Sequence, residues 1–216
     1  MVVAIGGGDQ RRGETRAIDR WCLAATGRDS PRVLFVPTGT KDSPEYVESA
    51  TEAFLSAGAG LVVPLLLTRN PSARAVAAAV EAADLVHFGG GSAPAIVKHG
   101  NRFALAAQLT AGLERGLVLS GISGGAIALF EGGLGAYNGY RPLPGWGLAP
   151  GTVLPHFHPG EEAALEEWLA ADRARFVWAV EDGAALVWDG QAARVVSERP
   201  DAGVWRLTSA GTQRVE

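Results

Sequence analysis

The segment Gly121-Ile122-Ser123-Gly124-Gly125 has the residue types and spacing of a nucleophile elbow, G-x-S-x-G. The apolar run Leu117–Ser120 precedes it, and Gly124–Phe130 has the composition of a short buried helix. A serine on such a turn takes a strained backbone conformation, which neighbours without side chains tolerate best. The N–H of Gly124 and the helix N-terminus would stabilise a developing oxyanion, by about 2.7–4 kcal/mol per donor. Ser123 is therefore a candidate nucleophile; the alternative is a glycine-rich turn that only permits tight packing.

A serine nucleophile needs a base, and the chain offers four histidines: His87, His99, His156 and His158. The first lies within an apolar run and is interpreted as a core residue, and the second is expected on an exposed turn. The other two flank Phe157 at the end of the apolar run Thr152–Leu154. Ligands gather beyond the carboxyl ends of strands in an α/β sheet. We favour His156 as the base, because His158 better suits a surface histidine.

An orienting carboxylate for the histidine is expected directly after the strand Val177–Val180. Glu181 and Asp182 are neighbours there, so their side chains should point to opposite sides, and either is a candidate. The resulting order, serine, histidine, acid, differs from the order of the α/β-hydrolases. Glu131 is the one acidic residue between Ser123 and His156, and it stands at the far end of the elbow's own helix.

A second set of glycines, Gly89-Gly90-Gly91, ends another apolar run and could bring a further N–H to the oxyanion. The alternative is a phosphate-cradling turn, because Gly6-Gly7-Gly8 also follows a strand, but neither run matches a complete nucleotide-binding motif. His156 and His158 have no third ligand at a suitable spacing, so we expect no metal and no cofactor. Cys22 lies within a helical pattern and is interpreted as a packing residue.

These residues need a scaffold, and the sequence alternates short apolar strands with helical segments. Predicted strands are Val2–Ile5, Arg32–Val36, Leu61–Leu66, Leu85–Phe88 and Leu117–Ser120, with helices at Glu14–Thr26, Pro44–Ala57, Ser72–Ala82 and Phe103–Arg115. This rhythm predicts an α/β fold, a parallel sheet with helices on both faces, in a single domain over residues 1–216. Near the C-terminus, a helix at Glu161–Ala171 and short strands with antiparallel pairing are expected. The Gly/Pro-rich stretch Gly132–Pro150 is interpreted as a loop that forms a lid or pocket wall.

Composition narrows the functional class. The chain has 216 residues, 47% of them apolar, and a net charge of -4, which indicates a folded core and argues against a nucleic-acid partner. No apolar run reaches membrane-spanning length, and the N-terminus lacks the pattern of a signal peptide. With one cysteine no internal disulfide forms, so we expect a cytoplasmic protein without a membrane partner. The oligomeric state stays open, a homodimer included.

Three segments together resemble the peptidase E and cyanophycinase family of serine peptidases: Val86-His87-Phe88-Gly89-Gly90-Gly91, Gly121-Ile122-Ser123-Gly124-Gly125-Ala126 and Leu154-Pro155-His156-Phe157. The resemblance implies a fold related to class I glutamine amidotransferases (flavodoxin-like), with serine in place of their cysteine, and a small peptide substrate. It implies Ser123 as the nucleophile, His156 as the base, and Gly90 and Gly124 in the oxyanion hole.

The family's acid is usually a glutamate, whereas the alignment on Gly183 places Asp182 in that slot, giving a Ser-His-Asp triad. Gly124 stands where the family more often has alanine, and the chain ends soon after its last strand. We therefore expect a serine-type peptidase or amide hydrolase with weak or absent cleavage of Asp-X dipeptides. The alternatives are a cyanophycinase-like hydrolase of aspartyl peptides and a non-catalytic ligand-binding protein. Glutamine-dependent ammonia release is disfavoured, because the elbow holds no cysteine. The substrate-binding residues are not identified by the sequence.

Overall fold

A computed structural model describes residues 1–135, 140–170 and 176–216. The strands are β1 (Val2–Ile5), β2 (Arg32–Val36), β3 (Leu61–Pro64), β4 (Leu85–Phe88), β5 (Val118–Ile122), β6 (Phe130–Gly135), β7 (Arg141–Pro144), β8 (Ala149–Pro155), β9 (Val177–Val180), β10 (Ala184–Trp188), β11 (Ala193–Ser197), β12 (Val204–Thr208) and β13 (Gly211–Arg214). The helices are α1 (Arg16–Ala25), α2 (Pro44–Ala57), α3 (Ala73–Glu81), α4 (Ala93–Asn101), α5 (Leu105–Glu114), α6 (Gly124–Leu129) and α7 (Glu162–Ala170).

The first sheet has the order β11-β10-β1-β5-β4-β2-β3. Its last five strands in this order, β1, β5, β4, β2 and β3, are parallel to one another. Because side chains alternate along a strand, Val3 and Ile5 pack on one face, against α1 and α2. Val2 and Ala4 pack on the other, where α3 to α6 contribute apolar side chains. The predicted α/β fold, a parallel sheet with helices on both faces, is confirmed.

Antiparallel strands extend this sheet at one edge, as expected for the C-terminal region. β10 pairs antiparallel with β1, and β11 pairs antiparallel with β10.

A second sheet, with the order β13-β12-β9-β8-β6-β7, was not predicted. Its central strands β6, β8 and β9 are parallel, and α7 packs against it through Leu165, Trp168 and Leu169. The last residue of the predicted helix Glu161–Ala171 lies outside the described residues.

The interpretation of Gly132–Pro150 as a loop is wrong for its described part. β6 and β7 pair as antiparallel strands, and β8 begins at Ala149. Glycine at position 132 allows this pairing, because the Cβ atom of any larger residue there would lie 2.6 Å from the Leu143 carbonyl oxygen. Residues 136–139 of the predicted loop lie outside the described residues.

The exposed turn predicted around His99 is also wrong, because His99 lies in α4. Ser92 caps this helix, accepting the N–H of Ala95, and Pro94 stands in its first turn. Along the described chain, no helix is both long enough and apolar enough to cross a membrane.

Candidate active site

Ser123 lies on a strained turn between β5 and α6, with φ 54° and ψ −116°. Its N–H donates to the carbonyl oxygen of Ile5 at 3.0 Å, which ties the turn to β1. The flanking glycines are required by packing: a Cβ at Gly124 would overlap the Gly91 carbonyl oxygen, and one at Gly125 would overlap that of Phe88. This crowding gives a physical reason for glycine at position 124, where the resembling family more often has alanine. The turn leaves the serine side chain partly exposed at the end of the sheet.

His156 follows directly on the end of β8, so it approaches Ser123 from the second sheet and not from the first. Its own φ is 57°, and the next residue, Phe157, is fully buried and donates its N–H to the Val180 carbonyl oxygen at 3.1 Å. Phe157 thus anchors the turn that presents the imidazole. The His156 Nε2 atom lies 2.8 Å from Ser123 Oγ.

Asp182 lies on the far side of the same imidazole, with Oδ1 2.7 Å from His156 Nδ1. An ionised carboxylate only accepts hydrogen bonds, so Nδ1 carries the proton and Nε2 is left to accept the Ser123 hydroxyl. The hydrogen bond from His156 holds the pKa of Asp182 below its ordinary value of 3.8, against the opposing effect of partial burial. The three side chains form one continuous chain of hydrogen bonds.

Glu181, the competing carboxylate, points elsewhere. Its Oε1 atom accepts the indole N–H of Trp205 in β12 at 2.6 Å. Neighbouring residues at a strand end therefore face opposite sides, as the alternation predicts. Of the two candidates, Asp182 is the one that contacts His156.

The glycines after β1 support this arrangement, a role that the sequence interpretation missed. A Cβ at Gly7 would overlap both the Asp182 carboxylate and the His156 ring. The Gly7 carbonyl oxygen also accepts the N–H of Gly183 at 3.0 Å, which fixes the turn that carries Asp182. The run Gly6-Gly7-Gly8 after a strand indicates that the backbone is closely approached there, but it does not identify the approaching residues.

The two glycines expected in the oxyanion hole differ in their N–H groups. The Gly124 N–H has no acceptor among the described residues and lies in the first turn of α6. The Gly90 N–H donates to the hydroxyl oxygen of Tyr46 at 3.0 Å. Gly90 itself adjoins Ser123, because a Cβ built on it would lie 3.6 Å from Ser123 Cβ.

The remaining residues singled out by the sequence lie away from this chain of hydrogen bonds. His87 is fully buried, its Nδ1 lies 2.8 Å from Ser120 Oγ, and burial lowers its pKa to about 3, so it is a neutral core residue. Cys22 is buried, and burial raises the pKa of its thiol, which disfavours the reactive thiolate. His158 is exposed, and its backbone N–H donates to Glu161.

A serine on a strained turn, hydrogen-bonded to a histidine at the edge of an α/β sheet, defines a hydrolase of the serine peptidase type. The chain matches the model of peptidase family S51 over residues 2–196 and belongs to that family. It is similar to YgaJ, an uncharacterized peptidase of Bacillus subtilis (strain 168), with 30% identity over 218 residues that cover 97% of this chain and 93% of YgaJ.

Two solved structures share the fold. A peptidase from an acI-B1 Actinobacterium superposes with a TM-score of 0.77 at 18% identity, over 99% of this chain and 93% of that one. A protein of Listeria monocytogenes EGD-e, provisionally named a peptidase E, superposes with a TM-score of 0.67 at 14% identity, over 92% of this chain and 98% of that one.

Proposed function

We propose that this chain hydrolyses a peptide or related amide through an acyl-enzyme on Ser123, with His156 as base and Asp182 as the orienting acid. The observation that carries the proposal is the unbroken series from Ser123 Oγ through both nitrogens of His156 to Asp182 Oδ1, at 2.8 and 2.7 Å. Both distances fall within the hydrogen-bond reach that nucleophile and base require.

In the proposed reaction, Ser123 Oγ attacks the substrate carbonyl carbon while His156 Nε2 takes the hydroxyl proton. Asp182 holds the proton on Nδ1 and stabilises the imidazolium that forms. His156 then returns the proton to the leaving amine, which departs and leaves an acyl group on Ser123. A water molecule, activated by the same nitrogen, releases the acyl group as a carboxylate and restores the free serine.

For the substrate, we propose a small peptide other than an Asp-X dipeptide. Efficient binding of an N-terminal aspartate would need a fixed cation facing its carboxylate. Among the described residues, the one arginine or lysine hydrogen-bonded to Ser123, His156 or Asp182 is Arg199, which donates to the backbone carbonyl oxygen of Asp182 at 3.4 Å. Its guanidinium also donates to the Asp201 carboxylate at 3.3 Å, so this cation is already paired. Arg102 is held by Asn70 at 2.7 Å, and Arg141 is exposed at the start of β7.

The two carboxylates at the end of β9 provide a matched test. Asp182→Asn should lower kcat by about four orders of magnitude, because an amide at this position favours the wrong histidine tautomer. Glu181→Gln should keep nearly full activity, because the amide oxygen still accepts the N–H of Trp205. The assay is steady-state hydrolysis of p-nitrophenyl acetate, followed by a dipeptide and tripeptide library that includes aspartyl dipeptides.

Equal losses in the two variants would contradict the proposed role of Asp182. Efficient cleavage of aspartyl dipeptides would overturn the substrate proposal while leaving the mechanism intact. Absence of ester and peptide hydrolysis in the wild-type protein would favour the non-catalytic, ligand-binding alternative.

A further inference from the structure

The space beside Gly90 admits one carbon-sized atom without overlap, unlike the space beside its neighbours. A Cβ at Gly89 would lie 2.6 Å from Cε1 of Tyr46, and one at Gly91 would overlap the Gly39 carbonyl oxygen. At Gly90 the nearest atoms would be Ser123 Cβ at 3.6 Å, the Ile122 carbonyl oxygen at 3.7 Å and the Tyr46 hydroxyl at 4.0 Å, which are ordinary contact distances. Internal packing therefore does not require glycine at position 90, and the space between Ser123 and Tyr46 is free for an atom of a substrate.

The Tyr46 hydroxyl can donate a further hydrogen bond at this position. Its oxygen accepts the Gly90 N–H at 3.0 Å, but within the described ranges its own hydrogen has no acceptor. Burial raises the pKa of Tyr46 above its ordinary value of 10, so the phenol keeps its proton at physiological pH. A neutral phenol in this position is a hydrogen-bond donor without a partner.

The ring that carries this hydroxyl is held in place. It packs edge-on against Phe35, with ring centroids 5.2 Å apart and planes at 90°. Tyr46 lies in the first turn of α2, where its N–H is capped by Ser43 Oγ at 3.4 Å. A donor fixed before the reaction needs little reorganisation when charge develops, which is the property of an effective oxyanion hole.

The same tyrosine borders a surface groove. The groove has a volume of about 340 Å³ and is lined by Gly8, Asp9, Gln10, Arg11, Tyr46 and Ser49. Its wall at Gly8 follows directly on Gly7, which lies beneath His156 and Asp182. Tyr46 therefore borders both this groove and the space beside Gly90.

We propose that the Tyr46 hydroxyl is an oxyanion donor of this enzyme, acting together with the N–H of Gly124; this rests on the proposed function of Ser123. When Ser123 Oγ bonds to the carbonyl carbon, the π electrons of the carbonyl move to its oxygen and the serine proton moves to His156 Nε2. The resulting oxyanion occupies the space beside Gly90 and accepts the Tyr46 O–H. In the free enzyme, the Gly90 N–H donates to the Tyr46 hydroxyl oxygen and so fixes the position of that oxygen.

The test is Tyr46→Phe, which removes the hydroxyl and keeps the ring that packs against Phe35. With p-nitrophenyl acetate as substrate, kcat should fall by about a hundredfold, the cost of one oxyanion-hole donor, while KM changes less than about twofold. Phenylboronic acid, which forms an anionic tetrahedral adduct with a reactive serine, should bind more weakly by a similar factor. Thr51→Val is the control: it removes a hydroxyl from the same helix, that hydroxyl donates to the backbone oxygen of Val47 at 2.7 Å, and Thr51 does not line the groove.

The kinetic pattern separates this role from structural support. A Tyr46→Phe variant with raised KM and unchanged kcat would place the hydroxyl in ground-state binding and overturn the proposal. A faster variant would also overturn it, by showing that Tyr46 occludes the Gly90 N–H, and so would unchanged kinetics. Ester hydrolysis by the wild type and its loss in Ser123→Ala test the proposed function separately, so the two failures are distinguishable.

Discussion

Asp19 is a buried carboxylate whose replacement should change the pH dependence of stability. It lies in α1 with 2% of its surface exposed, and its Oδ2 atom accepts the Thr15 hydroxyl at 3.0 Å. Its other oxygen has no partner among the described residues. Burial raises the pKa of Asp19 from 3.8 to about 7, and the hydrogen bond from Thr15 only partly opposes this.

The sign of the effect follows from proton binding. Because the folded-state pKa is the higher one, the folded protein binds more protons than the unfolded chain between pH 4 and pH 7. The free energy of unfolding contributed by Asp19 is therefore fully present below about pH 4 and is lost as the pH rises through about 7. A difference of about three pH units between the two pKa values corresponds to about 4 kcal/mol.

Asp19→Asn keeps the shape and the acceptor for Thr15 but does not titrate. We expect the variant to be more stable than wild type at pH 8 by about 2–4 kcal/mol, with the lower figure reflecting a buried amide NH₂ that lacks a partner. Near pH 4 this advantage should be gone, leaving the variant equal to wild type or less stable by up to about 2 kcal/mol, the cost of the unpartnered amide NH₂. Urea denaturation at pH 4, 5, 6, 7 and 8 gives the difference directly, because other titrating groups are common to both proteins. A difference that does not vary with pH would refute the reasoning.

Two further predictions concern the glycines and the histidines of the site. Gly90→Ala should fold with a thermal midpoint within a few degrees of wild type but lose activity at least tenfold, because the methyl group fills the space beside Ser123. Gly124→Ala should instead unfold at a clearly lower temperature, because its Cβ overlaps the Gly91 carbonyl oxygen. Thermal melts with ester kinetics check both, and a Gly90→Ala variant with full activity would show that the substrate carbonyl binds elsewhere. His156→Ala should lower kcat by several orders of magnitude while His158→Ala lowers it less than about threefold, as measured with the same ester; the reverse ranking would make His158 the base.

The parts of the site that sequence reasoning anticipated are set by local geometry. A serine between a strand and a helix, crowded by glycines, needs the elbow conformation wherever the sheet lies, so Ser123 was identifiable from its neighbours alone. Alternation at a strand end predicted that Glu181 and Asp182 face opposite sides, as they do in the structure. The choice of Asp182 came from the family resemblance, aligned on Gly183.

The parts that were missed depend on distant contacts or on composition that obscures a strand. β6 and β7 carry glycines and prolines, which lower strand propensity, and they pair because Gly132 lets the Leu143 backbone approach. α4 follows three glycines and was overlooked, although Ser92 and Pro94 are the signals of a helix start. The contribution of Gly7 was not predictable, because its neighbours His156 and Asp182 are more than a hundred residues away in the chain.

The measurement that tests the central claim most directly is covalent labelling of the wild-type protein with a fluorophosphonate, followed by peptide mass spectrometry. The proposed mechanism predicts one equivalent of label, located on Ser123, with labelling slowed strongly in His156→Ala and absent in Ser123→Ala. Label on another residue, or wild-type protein that stays unlabelled under conditions that modify an active serine hydrolase, would contradict the assignment of Ser123 as the nucleophile.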